Sequence, residues 1–223
     1  MTFSLIARCA KTGMFGMVIS SSSPAVAARC AHVRAGVGVV ASQNITDPGL
    51  GPLVLGQMEA GQSAQAALAT ILAGQAHIDY RQLLVMDAKG ASAVHSGMKV
   101  LGLWGEAKGQ DCAAGGNLLA KDDVPQRMVA AFETAVGHLG DRLMLALQAG
   151  LTAGGEAGPV QSAGMKIADK LSWPLVDLRI DWSDQPITDL ARAWAVYRPQ
   201  MTAYVQRALD PTQAPSYGVP GDE

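Results

Sequence analysis

Thr2 carries a hydroxyl and, once Met1 is removed, a free α-amine on the same residue. An α-amine has a pKa of about 7.7–8.0, so near neutral pH it can act as the base for its own hydroxyl. One terminal residue can then do what a Ser–His pair does in other hydrolases. With Met1 retained there is no free amine, and Thr is simply a common second residue. Other polar residues could complete such a site. Gln43 and Asn44 follow a buried apolar run. Their amides could bind substrate or an oxyanion, or merely begin a polar loop. Asn117 follows Gly115-Gly116. It is either a turn residue tolerating positive φ or an amide donor that needs close backbone approach. His95 ends a strand, as a satisfied structural histidine or as a residue bordering a site. Gln161 and Ser162 follow a Gly/Pro loop and form a β-edge turn, or place Ser162 against the Thr2 amine. Ser21 and Ser22 belong to the run Ser20–Ser23, which either lines a pocket mouth or is a solvated loop.

Other chemistries lack their signatures. There is no G-x-S-x-G elbow, H-E-x-x-H pair, P-loop or dinucleotide fingerprint. His32, His77, His95 and His138 are scattered, and Cys9, Cys30 and Cys112 are an odd number without ligand spacing. The expectation is no metal, no cofactor and reduced thiols. A net charge of −2 and 5% aromatic residues give no attraction for nucleic acid or an anionic membrane. Apolar runs break well before the ~20 residues of a membrane span. The terminus lacks a basic region followed by an apolar segment, so a cytoplasmic protein is expected.

The elements that must position these residues follow from pattern. Hydrophobic residues make up 49% of the 223, enough for a sizeable core, and one domain over residues 1–210 with a tail over 211–223 is expected. Residues 2–8 and 14–20 form a hairpin about Lys11-Thr12-Gly13. A short helical stretch, Ala25 to His32, precedes a buried strand over Val37–Ser42, and helices follow near Pro52–Ala60 and Ser63–Ala73, the second capped by Ser63. Gln82–Asp87 and Ala91–His95 make a second hairpin, and one further strand covers Gly109–Ala114. Asp122 or Asp123 caps a helix that buries Val124, Met128, Ala131, Phe132 and Ala135. The next helix, Leu139 to Ala153, aligns Leu143, Ala146, Leu147 and Leu151 and stops at Gly154-Gly155. Strands over Gln161–Ala168 and Leu175–Ile180 lead into a long helix from Pro186 to Leu209. Strands come in blocks, each followed by helices, which argues for α+β layering.

Read end to end, the chain resembles the DUF1028 family, a bacterial family assigned to the Ntn-hydrolase superfamily. The resemblance rests on Thr2-Phe3-Ser4-Leu5-Ile6-Ala7-Arg8, Gly38–Gln43, Leu53–Gly61, Val85–Gly90, His95-Ser96-Gly97, Gly115–Ala120, Ala153-Gly154-Gly155 and Gln161-Ser162-Ala163. It implies a four-layer α-β-β-α sandwich of two mainly antiparallel sheets, Ntn-hydrolase-like, with Thr2 on a central strand. Two departures stand out. After the glycine pair the family's acid is longer here, Glu156, and the basic residue that follows is absent, Gly158 standing nearby. Ser22 also stands where a basic residue is usual. A cation there would lower the amine pKa and stabilise an oxyanion.

The expected activity is hydrolysis of a small amide or peptide-like substrate, with Thr2 as nucleophile and Asn44 or Asn117 at the oxyanion. The alternative is a non-catalytic small-molecule-binding protein that keeps the fold. A homodimer is also expected. Trp194, Tyr197, Met201, Tyr204 and Val205 share the last helix, with Trp173-Pro174 and Trp182 just before it.

Overall fold

The computed structural model describes residues 1–221. Its strands are β1 (Thr2–Arg8), β2 (Phe15–Ser21), β3 (Ala31–Arg34), β4 (Gly38–Asn44), β5 (Arg81–Asp87), β6 (Ser92–Ser96), β7 (Gly105–Gly109), β8 (Cys112–Asn117), β9 (Ser162–Ala168) and β10 (Val176–Ile180). Its helices are α1 (Val26–Cys30), α2 (Leu50–Glu59), α3 (Ala64–Gly74), α4 (Val124–Thr134), α5 (Leu139–Thr152), α6 (Pro186–Tyr197) and α7 (Met201–Leu209).

The strands form two antiparallel sheets, β10-β9-β2-β1-β8-β7 and β3-β4-β5-β6. Three apolar cores separate the layers. Phe132, Leu143, Leu147 and Trp194 from α4, α5 and α6 pack on Phe3, Leu5 and Ala7 of β1. Ile6, Met17, Ile19, Val39, Leu84 and Met86 fill the space between the sheets, with Val26, Ala27 and Cys30 of α1. Val54, Leu68 and Ile71 of α2 and α3 cover Val40, Leu83 and Val85. The result is the four-layer α-β-β-α sandwich. Central strands bury both faces, so they show near-continuous apolar runs. Every residue of β2 is buried.

The period-two alternation of a strand decides which residues meet the site. In β1, Phe3, Leu5 and Ala7 face the helices, whereas Ile6 faces the second sheet. Thr2 and Ser4 share the Ile6 side and point between the sheets.

Several elements differ from expectation. The single strand over 109–114 is a hairpin, β7 and β8, turning at Gln110-Asp111, with Asp111 at φ 54°. Gly105–Gly109 is half-exposed and alternates Gly, Ala and charge, so its apolar signal is weak. The helical stretch after Ala25 ends at Cys30, and Ala31–Arg34 pairs with β4. The long C-terminal helix breaks at Arg198–Gln200, a 3-10 turn. Pro199 has no N–H for the α-ladder, and this ends α6. Ser63 does cap α3, accepting from Ala66 N–H. Asp123 sits at the head of α4, but its carboxylate takes Arg127 instead of a backbone donor. Leu151 is exposed, and Ala135 lies just beyond α4.

Beyond α7 the chain folds back, with the Arg207 guanidinium 3.7 Å from the Tyr217 ring centre and donating to the Pro215 carbonyl. The last two residues of the expected tail, 222 and 223, lie outside the described residues. Among the described residues, no helix is long and apolar enough to cross a membrane.

Candidate functional site at the head of the first strand

Cross-strand register assembles a polar row at one end of the larger sheet. Thr2 lies opposite Asn117 of β8, and Ser21 of β2 lies opposite Ser162 of β9. The pairing of Phe3 with Ser20 brings Thr2 beside Ser21, and their hydroxyl oxygens are 3.3 Å apart. Both hydroxyls reach the carbonyl oxygen of Met1. Ser21 Oγ also accepts from the Ser23 N–H at 3.1 Å. Thr2 is only 5% exposed. The row is therefore a covered strand head, with β1 central between β2 and β8.

Beneath it, neutral polar groups connect the two sheets. Ser4 Oγ donates to Gln43 Oε1 at 2.6 Å, and Gln43 Nε2 donates to Gln82 Oε1 at 2.8 Å and to the Gly115 carbonyl at 3.2 Å. Gln82 Nε2 donates to Ser96 Oγ and to the Gly116 carbonyl, and Asn117 Nδ2 donates to Gln82 Oε1 at 3.2 Å. Ser4, Gln43, Gln82 and Asn117 are fully buried. Buried amides are tolerated because their hydrogen bonds are made within the chain. Asn117 Oδ1 is the exception, buried without a partner among the described residues. The close approach expected at the glycine pair is real. A Cβ on Gly116 would fall 2.6 Å from Leu119 Cδ2 and 3.1 Å from the Thr2 carbonyl oxygen. The positive φ belongs to Leu118, not to Asn117.

A loop closes over the strand head. Glu156 bridges Leu119, while Ala120 N–H donates to the Gly155 carbonyl and Ala157 N–H to the Leu118 carbonyl. The Met1 side chain rests on Gly158, where an added Cβ would be 3.0 Å from Met1 Cε. Glu156 is 4% exposed. Burial pushes its carboxyl up to about 7, against the lowering effect of the N-terminal amine and of Ser22. Ser22 is near enough to act on the charge, yet neither carboxylate oxygen completes a hydrogen bond. Glu156 and Gly158 also border a cavity of about 290 Å³, together with Pro159, Asp184, Gln185 and Ile187.

The remaining candidates are spent elsewhere. Asn44, at φ 73°, donates to the Tyr80 carbonyl at 2.6 Å and accepts from Leu101 N–H at 3.2 Å, so its amide pins two loops. His95 pairs with Leu83, which faces α3, and its Nε2 lies 3.2 Å from the Ile78 carbonyl. That is the face opposite Gln82 and Ser96. Ser162 Oγ donates to the Ser23 carbonyl and accepts from Val26 N–H, fastening the start of α1 with no hydrogen bond to Thr2. Gln161 uses its backbone to bind Ser21 and Ser183, and its Oε1 is buried without a partner among the described residues. Among the described residues, no three His, Cys, Asp or Glu side chains converge to hold a metal.

The site thus gathers Thr2, Ser21, Ser22, Asn117 and Glu156. Sequence reasoning missed the last as a site residue, as it missed Ser4 and Gln82 in the network. Each carried a faint signal. Ser4 and Gln82 are polar within buried strands, and Glu156 is the lone acid in a loop of Gly and Ala.

Fold and site together define a class, a four-layer sandwich with a hydroxyl residue at the head of a buried central strand. The chain belongs to the DUF1028 family, described as a family of unknown function, whose model matches residues 2–190. Among solved structures it is similar to protein SPO2555 from Silicibacter pomeroyi, itself described under DUF1028. Identity there is 28%, the TM-score is 0.82 and 88% of each chain is covered. A second structure, Anbu (ancestral beta-subunit) from Yersinia bercovieri, is 10% identical with a TM-score of 0.40, over 91% of this chain and 97% of that one. That likeness is too weak to carry an argument. No curated protein matches the chain.

Proposed function

We propose that the chain is an Ntn-type amidohydrolase acting on a small amide or peptide-like substrate, with Thr2 as nucleophile after Met1 is removed. The observation that supports this most is the placement of the Thr2 hydroxyl at a buried strand head, beside Ser21 and against a carbonyl oxygen. Thr2 Oγ1 attacks the substrate carbonyl carbon, and the Thr2 amine takes the hydroxyl proton and later gives it to the leaving amine. Water then hydrolyses the acyl-enzyme by the same proton route. Ser21 Oγ suits the oxyanion, because it already donates to a carbonyl oxygen at this position. Asn117 supplies a second donor, its Nδ2 having one hydrogen beyond the bond to Gln82. The Asn44 amide is directed to the Tyr80 carbonyl and the Leu101 N–H, whereas Asn117 lies opposite Thr2 in the strand register, so this reading takes Asn117 as the donor.

The second reading, a binding protein that keeps the fold, draws on the Met1 carbonyl, which engages both hydroxyls, and on Ser22 and Gly158, which supply no cation. One experiment separates the two. Protein whose first residue is Thr2 is treated with a β-lactone probe and screened against an amide library, with mass spectrometry locating any adduct. A covalent adduct on Thr2, and turnover reduced about 10³-fold or more in Thr2→Ala, support catalysis. Turnover that survives Thr2→Ala at the full rate refutes this mechanism. Ligand-dependent thermal stabilisation without turnover supports the binding reading.

A further inference from the structure

Glu156 is a buried acid that no cationic side chain meets among the described residues. Its carboxylate is taken out of water and, among the described residues, meets only Ser22 and the N-terminal amine, with neither oxygen in a well-formed hydrogen bond and no cationic side chain to neutralise it. Such a group is costly unless something charged or N–H-bearing meets it. The surrounding elements narrow what that is. Its backbone bridges Leu119, two residues past Asn117, and its carboxyl feels Ser22, one residue past Ser21. Asn117 and Ser21 flank Thr2 on the two neighbouring strands, so Glu156 lies across the head of β1.

The charged groups facing it are few. Ahead of β1 stands the N-terminal amine, the one charge among the described residues that acts on it, while the segments just past β2 and β8 contribute only Ser22 and the backbone at Leu119. Across the cavity stands Asp184, and Lys121 is exposed beside Gly154. With Met1 in place the amine is one residue removed from Thr2, and the Met1 side chain occupies the space against Gly158.

We infer that Glu156 is a built-in receptor for the Thr2 α-ammonium of the processed chain, and so a positioning residue for the proposed reaction. The inference rests on the Thr2 reading for its catalytic meaning, but the pairing stands or falls on its own. In the reaction the amine, its resting proton first released to solvent, accepts the hydroxyl proton as the Oγ1–C bond forms and the carbonyl π bond opens, becoming an ammonium again. The Glu156 carboxylate stabilises that cation and holds it toward Oγ1. When the proton passes to the leaving nitrogen, the amine is neutral again and Glu156 is unchanged. Glu156 neither gives nor takes a proton in the cycle. It acts on the amine as a buried carboxylate acts on a catalytic imidazolium.

The test uses full-length protein that begins at Thr2, released from a cleavable leader. The pKa of its α-amine is read from the pH dependence of N-terminal reductive methylation, by mass spectrometry and without substrate. The amine pKa should fall by at least one unit, tenfold in proton affinity, in Glu156→Gln, and much less in Glu156→Asp. An amine pKa that is the same in wild type and Glu156→Gln overturns the pairing and leaves the Thr2 mechanism untouched. Conversely, a shifted amine in a protein whose turnover survives Thr2→Ala would uphold the pairing and sink the mechanism. Should Glu156→Gln not fold, carbon-13 titration of Glu156 in unsubstituted protein decides. Its carboxyl pKa should drop when the chain starts at Thr2 rather than Met1, and an unchanged value refutes the inference.

Discussion

Asp87 and Glu156 are both buried carboxylates, 6% and 4% exposed, and the chain treats them in opposite ways. Asp87 ends β5 and is saturated. Its Oδ2 accepts from Ala64 N–H at 2.9 Å, while its Oδ1 accepts from Lys89 and Ala91 N–H at 2.9 and 3.2 Å. One side chain thereby holds the β5–β6 turn and the first turn of α3. Glu156 holds nothing by its side chain. Saturation marks a structural acid, and an empty carboxylate at equal depth marks one kept for another purpose. Asp87 also borders a cavity of about 300 Å³, lined by Gly36, Met58 and Ser63 among others.

The contrast breaks most visibly at Asp87. Asp87→Ala strips acceptors from three N–H groups and should cost roughly 3–5 kcal/mol of stability, read from the urea midpoint. A loss below about 1 kcal/mol would erase the distinction between the two acids. Glu156 should behave with the opposite sign in protein that retains Met1. Its folded carboxyl is raised to about 7 from 4.5. Between those values the folded chain keeps a proton on Glu156 that the unfolded chain has released, so this group's contribution to stability falls as pH rises through that window, opposite in sign to the buried imidazoles of His32 and His138, which desolvation holds below their usual range. The loss should approach about 3 kcal/mol above pH 7 and vanish below pH 4.5. Glu156→Gln should flatten that slope in a pH series of denaturant melts. An unaltered slope would mean that another group carries it.

At the surface the comparison of satisfied and unsatisfied groups is gentler. Trp194 is buried, with its indole N–H on Asp141, and Tyr197 donates to the Leu175 carbonyl, so two of the aromatics suggesting a homodimer serve the fold itself. Tyr204, stacked 5.7 Å from Tyr197, and Val196, Trp182 and Leu209 stay exposed. We keep the homodimer as a proposal on these residues. Light scattering at micromolar concentration should give twice the chain mass, lowered by Tyr204→Asp. A single-chain mass at all concentrations would end it.

Much of the fold was legible because its signals are local. The β1–β2 and β5–β6 hairpins, the Ser63 cap and the glycine stop after α5 each follow from a few adjacent residues. What escaped depended on weak or distant signals. The β7 strand has little apolar content, β3 lies directly after α1, and the break after α6 turns on Pro199 alone. The site was half legible for the same reason. Thr2 and Asn117 could be named from type and context, but only register across four strands seats Ser21 between Thr2 and Ser162. Nothing in the neighbouring sequence says that Asn44, His95 and Ser162 spend their polar atoms on Tyr80, Ile78 and Ser23. Glu156 needed three dimensions, since its meaning lies in the partner it lacks.

The seam of Ser4, Gln43, Gln82 and Asn117 has a practical corollary. It is made of hydroxyls and amides, none of which ionises in the range where proteins are handled. Acid or salt that would loosen a seam of ion pairs leaves this one alone, because it has no charge to neutralise or screen. The two sheets should stay clasped across an acid titration, so the seam supplies a quiet baseline. A change in the strand head between pH 4.5 and 7 can then be assigned to the loop that covers it rather than to the joint beneath.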